Sequence, residues 1–291
     1  MLNSKQLVLA ITLLLIGFGC VTPKNQNIVA KQKTYSLSNN QQDPLVNVKQ
    51  AAQSVFLLRD VQGRASGTGS LIGCEPVGKN QFRYFALTAH HVLSDLEKRM
   101  YSDDPAVVKD FRVELMFQPS FHGSPLRVAA NTIFIEHSND SLDWMIFSFV
   151  VDKLDDVKFV QLATEEEFKK LKSFEEIYGA GCGAGQGVQC RRGWMGATHN
   201  EGYKIIEQIV GAFYSWDAHP QSFFRPHVNI WYGDSGGAIF NKNGKQIGII
   251  NGITGLNSYG GGPVEHTAVC LKTYTIFKTV NKNSKFFKIK Q

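Results

Sequence analysis

Gly233-Asp234-Ser235-Gly236-Gly237 is the stretch from which the rest of the chain can be read. A serine that acts as a nucleophile needs an exposed hydroxyl, a base within hydrogen-bond reach, and backbone N–H groups aimed at the oxygen that becomes negative during acyl transfer. Gly233 frees the backbone to turn its own N–H and that of Ser235 toward one point, while Gly236 and Gly237 leave room for a substrate chain. The base must come from elsewhere. Leu87-Thr88-Ala89-His90-His91-Val92 supplies a candidate, and Leu142-Asp143-Trp144-Met145-Ile146 supplies a carboxylate to orient it. Along the chain the order is His, Asp, Ser.

Over roughly residues 50 to 280 these motifs resemble the trypsin/chymotrypsin-like serine peptidases, including their bacterial HtrA-type relatives. The order of the three groups separates this family from subtilisins and α/β-hydrolases, which run the same chemistry in other orders. In the family pattern Thr-Ala-Ala-His-Cys or Thr-Asn-Asn-His-Val the base is the fourth residue, which here is His91. His90 then occupies a place that relatives fill with Ala or Asn. Asp143 precedes an apolar strand as the family's carboxylate does, whereas its rival Asp140 sits among Ser138, Asn139 and Ser141, the setting of a solvated turn.

The resemblance implies an all-β fold of two six-stranded antiparallel Greek-key barrels with the active site between them. Residues 50–160 form the N-terminal barrel carrying His91 and Asp143, 161–175 a connector helix, and 176–291 the C-terminal barrel carrying Ser235 and the oxyanion hole of Gly233 and Ser235. It implies a serine endopeptidase acting on protein or peptide substrates, with no metal or organic cofactor and no nucleic-acid partner. The same residues are compatible with a catalytically silent binding protein or an esterase using the same triad. The resemblance also implies that Asn229, six residues before the nucleophile, stands at the base of the primary specificity pocket and Asn251-Gly252-Ile253 at its wall. With no acid there, a small or medium uncharged side chain before the cut is expected rather than Arg or Lys. Family zymogens free an Ile-Val-Gly-Gly amine that pairs with the Asp beside the nucleophile. Ile28-Val29-Ala30 lacks both glycines and the preceding basic residue, so the partner of Asp234 is left unassigned.

Composition sets the outer bounds. The chain has 291 residues, of which 43% are hydrophobic and 19% charged, which excludes a disordered or fibrous protein and leaves ample core. The net charge of +6 favours anionic surfaces without identifying one, and solubility is the plainer reading. At the start, Lys5 is followed by the apolar run Leu7 to Phe18 and by Gly19-Cys20. This is the layout of an export signal over residues 1–19. A Cys after a small residue also resembles a bacterial lipoprotein signal, in which Cys20 is lipidated and anchors the chain to the cell-envelope membrane; simple cleavage and an uncut anchor are the alternatives. Residues 20–49, rich in Asn, Gln and Lys, read as a flexible tether.

Strands are expected at Ser54 to Leu58, Gly67 to Ile72, Phe82 to Thr88, Phe111 to Phe117, Arg127 to Ile135, from Trp144, from Ile177 and at Lys204 to Phe213. A hairpin joins Ala238–Phe240 to Gln246–Ile250. Thr164 and Glu167 have capping-box spacing at the start of the connector. The remaining histidines lack metal-ligand spacing. With Cys20 lipidated, Cys74, Cys182, Cys190 and Cys270 form an even set for an oxidising compartment; Cys182 with Cys190 closes a short loop and leaves Cys74 with Cys270. The basic end, Lys272 to Gln291, reads as an element packed on the barrel or as a membrane-surface contact.

Overall fold

Phe82 to Thr88 and Trp144 to Val151 are runs of aromatic and β-branched residues, the side chains that pack well on a pleated surface, and they pair along their whole length. They form the most extensive pairing among the described strands of the N-terminal half. The computed structural model describes residues 44–60, 66–94, 113–118, 124–130, 132–198, 219–254 and 267–280. The expected export signal, Cys20, the expected tether as far as 43, the expected strand at 204–213 and the basic end from 281 lie outside the described residues.

The N-terminal sheet is built from β1 (Val55–Asp60), β2 (Ser66–Pro76), β3 (Gln81–Thr88), β4 (Val113–Phe117), β5 (Leu126–Ala130), β6 (Ile133–Asn139) and β7 (Trp144–Asp152). Their order across the sheet is β5-β4-β1-β2-β3-β7-β6 and every pair is antiparallel. Seven strands replace the six expected because the run anticipated at 127–135 is split. Its first part pairs with β4 and its second with β7. Since β5 and β6 are joined only through residues 131 and 132, the two edges of the sheet are consecutive in the chain. A sheet whose edges are so joined must curl back on itself.

The C-terminal half is a closed barrel of β8 (Glu176–Gly181), β9 (Gln189–Ala197), β10 (Phe223–His227), β11 (Ala238–Asn241), β12 (Gln246–Thr254) and β13 (Thr267–Lys272). Strand β10 pairs with β13 rather than with its successor β11, which gives the Greek-key path. Between the halves runs a short helix, α2 (Glu165–Lys169), with the Thr164 and Glu167 capping box formed. Helix α3 (Thr273–Thr279) follows β13 directly.

Helix α1 (Pro44–Ala52) departs from the tether expected up to residue 49. Val48, Ala51 and Ala52 are buried in the apolar layer between the halves, and the Asn47 carbonyl oxygen lies 2.6 Å from where a Cβ on Gly244, in the β11–β12 turn, would sit. Three buried apolar side chains in a polar stretch are too weak a pattern to read, yet enough to dock one helix. The layer they join also holds Leu57, Phe85 and Trp144 from the first barrel with Tyr178, Phe240 and Leu271 from the second. Separate clusters fill each barrel, so the two halves share a dry interface as well as owning a core each.

All four described cysteines are free, so neither anticipated disulfide is made. The β8–β9 register sets Cys190 opposite Ala180, leaving Cys182 past the strand end and wholly buried while Cys190 is exposed. Cys74 packs at the edge of the first barrel's cluster and Cys270 inside the second's. Burial pushes the Cys182 thiol up to about 12.

Candidate active site

Strand β3 ends at Thr88, and residues 90–94 begin a helical turn that carries His90 and His91 out of the sheet. The β6–β7 turn carries Asp143. There the Asn139 side chain accepts from Leu142 N at 2.9 Å and from Ser141 Oγ at 3.0 Å, and Asp140 O accepts from Asp143 N at 3.1 Å. This folds the turn tightly enough to place Asp143 at φ 51°, a left-handed conformation that Asp tolerates better than most residues.

From that position the Asp143 carboxylate meets His91 three times. His91 Nδ1 lies 2.8 Å from Oδ2 and 3.0 Å from Oδ1, and the His91 backbone N donates to Oδ1 at 2.9 Å. A carboxylate with these neighbours only accepts, so the proton sits on Nδ1 and Nε2 is the basic nitrogen. The Asp143 side chain is 11% exposed and that of His91 42%, so the pair is shielded on the acid's side and open on the base's. His90 does not compete: its Nδ1 faces Asp140 Oδ1 at 3.1 Å, and the Asp140 side chain is 91% exposed. The expected rivals form a second, outer pair.

Ser235 comes from the turn before β11. Thr68 N donates to Ser235 O at 2.7 Å, and a Cβ on Gly236 would fall 3.1 Å from Ala89 N, so the serine's backbone lies against the segment that leads into His91. Gly233 has φ 99° and Gly236 φ 83°, conformations open to glycine. Among the described residues no partner is recorded for the N–H of Gly233 or of Ser235, while their carbonyls are bonded. Two unpaired amides beside a serine are the kind of donor that an oxyanion hole requires.

Asp234 is fully buried, and its partner is Arg191 on β9, with Nη1 2.5 Å from Oδ2. Trp231 N donates to the same oxygen at 2.7 Å. The basic pair Arg191-Arg192 is visible in the sequence, but only the β8–β9 register shows that Arg191 faces the serine loop while Arg192 turns to Glu176.

Of the expected pocket residues, Asn229 is exposed between buried Val228 and Ile230, and Gly252 and Ile253 are half-buried. Asn251 is buried and is the extra residue of a bulge in β12, where the register to β13 shifts between Ile250 and Gly252. A bulge re-aims its side chain. Here Asn251 Nδ2 donates to Asp143, and its Oδ1 accepts from Leu271 N at 2.9 Å. Nothing local in the sequence marks that role.

A family model described as a trypsin-like peptidase domain matches residues 67–249. A comparison with curated protein sequences gave no match. In fold, the crystal structure of Deg5 matches with a TM-score of 0.53 and 12% sequence identity, over 82% of this chain and 93% of Deg5. The HtrA-type protease AlgW, solved with a tripeptide, matches with a TM-score of 0.52 and 15% identity, over 83% of this chain and 63% of AlgW. These identities speak for the two-barrel fold alone, whereas the family model spans more than half of the sequence. The chain belongs to the trypsin-like peptidase domain family.

Proposed function

We propose that the protein is an exported serine endopeptidase that cleaves peptide bonds through Ser235, His91 and Asp143 by way of an acyl-enzyme. The observation that carries this reading is the contact of His91 Nδ1 with both carboxylate oxygens of Asp143, at 2.8 and 3.0 Å. It leaves Nε2 as the base. His91 takes the Ser235 proton as Oγ attacks the peptide carbonyl, then returns it to the leaving amine, while Asp143 holds the tautomer and stabilises the imidazolium. The N–H groups of Gly233 and Ser235 receive the oxyanion, and losing one such donor typically costs on the order of 10²–10³ in rate.

Arg191 already occupies Asp234, so the loop has its buried counter-charge without a newly cut amine. Asn229, Gly252, Ile253 and the backbone of Asn251 receive the residue before the cut, which is small or medium and uncharged. Export rests on the layout of residues 1–20, with Cys20 as the site of a lipid anchor to a bacterial membrane. Residues 50–160 and 176–291 are the two barrels, joined over 161–175.

The test is labelling of the purified full chain with a fluorophosphonate probe, beside Ser235→Ala and His91→Ala. Labelling of the parent that is lost in the first variant and strongly reduced in the second is the expected result. A folded parent that takes no label, either intact or after a cut between residues 21 and 49, overturns the reading in favour of a silent binding protein.

A further inference from the structure

The peptide units around Ser235 can be followed one at a time, since each backbone group needs a partner, water or a task. Trp231 O accepts from Asp234 N at 3.0 Å, Tyr232 O from Ala184 N at 2.6 Å, and Asp234 O from Gly237 N at 2.8 Å. Gly236 N donates to Ile250 O at 2.7 Å. Those contacts all lie within the second barrel. The two remaining carbonyls, of Gly233 and Ser235, are held by one residue of the first barrel. Thr68 Oγ1 donates to Gly233 O at 2.7 Å and Thr68 N to Ser235 O at 2.7 Å.

The direction of the hydroxyl proton is settled by the hydroxyl's second contact. Cys182 N donates to Thr68 Oγ1 at 3.0 Å, so the hydroxyl accepts from one strand end and donates to the serine loop. Thr68 is fully buried, and its carbonyl accepts from Thr88 Oγ1 at 2.7 Å. Its side chain is therefore part of a satisfied chain of hydrogen bonds, in which a missing link leaves two buried groups unpaired. A glycine at φ 99° has little preference of its own for where its peptide planes point, and the orientation must be imposed from outside.

We propose that Thr68 is a positioning residue for the oxyanion hole: its hydroxyl holds the Gly233 carbonyl and so aims the N–H groups of Gly233 and Ser235 at one point. The proposal rests on the reading of Ser235 as nucleophile. It assigns the first barrel a part in oxyanion binding as well as in supplying the base. Thr68 touches no reacting atom, so its removal shows in the rate of the chemical step rather than in binding.

The experiment uses the full chain and a fluorophosphonate probe, whose phosphoryl oxygen needs the same donors, at a series of probe concentrations that separates kinact from KI. Thr68→Val and Thr68→Ala lower kinact by about 10- to 100-fold, short of outright loss of a donor, with KI unchanged. Thr68→Ser restores kinact to within about threefold, because it keeps the hydroxyl and loses only the methyl. If Val and Ala prevent folding, Thr68→Cys keeps the volume with a weak donor and carries the same expectation. Parent-like kinact in the variants lacking the hydroxyl, a change confined to KI, or a serine variant as slow as alanine overturns the proposal. A parent that takes no label, either intact or after a cut between residues 21 and 49, overturns the nucleophile and the proposal together, whereas a labelled parent with insensitive Thr68 variants overturns the proposal alone.

Discussion

Asn251 of the second barrel donates from one side-chain nitrogen to both the carboxylate and the main-chain carbonyl of Asp143 in the first, at 3.0 and 2.7 Å. Its oxygen is taken by Leu271 N, so the amide has one possible orientation and braces the Asp143 carboxylate against β13. Asn251→Leu keeps the volume and leaves three buried groups short of a partner. We expect a loss of about 1–3 kcal/mol in urea denaturation. Slower fluorophosphonate labelling should accompany it, because Asp143 is freed to turn away from His91.

Arg191 and Asp234 carry a different prediction. Removing the cation with Arg191→Met strands a fully buried carboxylate, and breaking such a pair from one side costs about 3–5 kcal/mol. Labelling should disappear before global unfolding, since Asp234 flanks Ser235. In the parent, labelled chains weighed by mass spectrometry should retain residues 21–43. Labelling that begins only after a cut in that region would show that Arg191 does not suffice.

At Gly236 a Cβ would lie 2.0 Å from Thr68 O and 2.3 Å from Thr88 Oγ1, on a backbone at φ 83°. Neither neighbour is a flexible tip. Gly236→Ala therefore adds overlap with backbone to a left-handed penalty of about 1–2 kcal/mol, and should lower the melting temperature and abolish labelling. Gly78→Ala, whose Cβ would meet nothing nearer than 3.6 Å, is the control and should stay within about 0.5 kcal/mol of the parent.

Lys272 gives a pH dependence. Burial, reinforced by Lys278 and opposed by Glu165, brings its ammonium down from 10.5 to about 8, although it donates to Gln221 O at 2.6 Å. In that window the unfolded chain holds a proton that the folded chain has released, so this group makes stability rise with pH from about 8 to 10.5 and fall again as pH drops through 8. Urea denaturation across the window should show a steeper rise for the parent than for Lys272→Met. Parallel curves would mean that the ammonium is solvated.

Much of this architecture is legible from the sequence because its signals are local. His91, Asp143 and Ser235 each adjoin a run of apolar strand residues or a cluster of glycines, and the turn at Asn139 to Asp143 announces itself through its Asn and Ser. The braces are another matter. Thr68 to Gly233, Asn251 to Asp143 and Arg191 to Asp234 are contacts between distant segments, decided by strand register and by a bulge that no short window reveals. Strand β9 was equally hidden, since Arg191 and Arg192 interrupt its apolar character. The cysteines mislead for a related reason: an even count suggests pairing, while burial of Cys182 and Cys270 on separate elements provides none.

The dependence of Asp143 on Asn251, and of Asn251 on Leu271, has a bearing on how the chain is made. Ribosomes deliver the first barrel before the second. A nascent chain that has made His91 and Asp143 therefore still lacks the Asn251 brace, and even after Ser235 emerges its surroundings lack β12 and β13. The brace closes only when residue 271 is in place, after Ser235 and β12 have been made. A chain wired in this way cannot complete the geometry around Asp143 until strands of both barrels are present together.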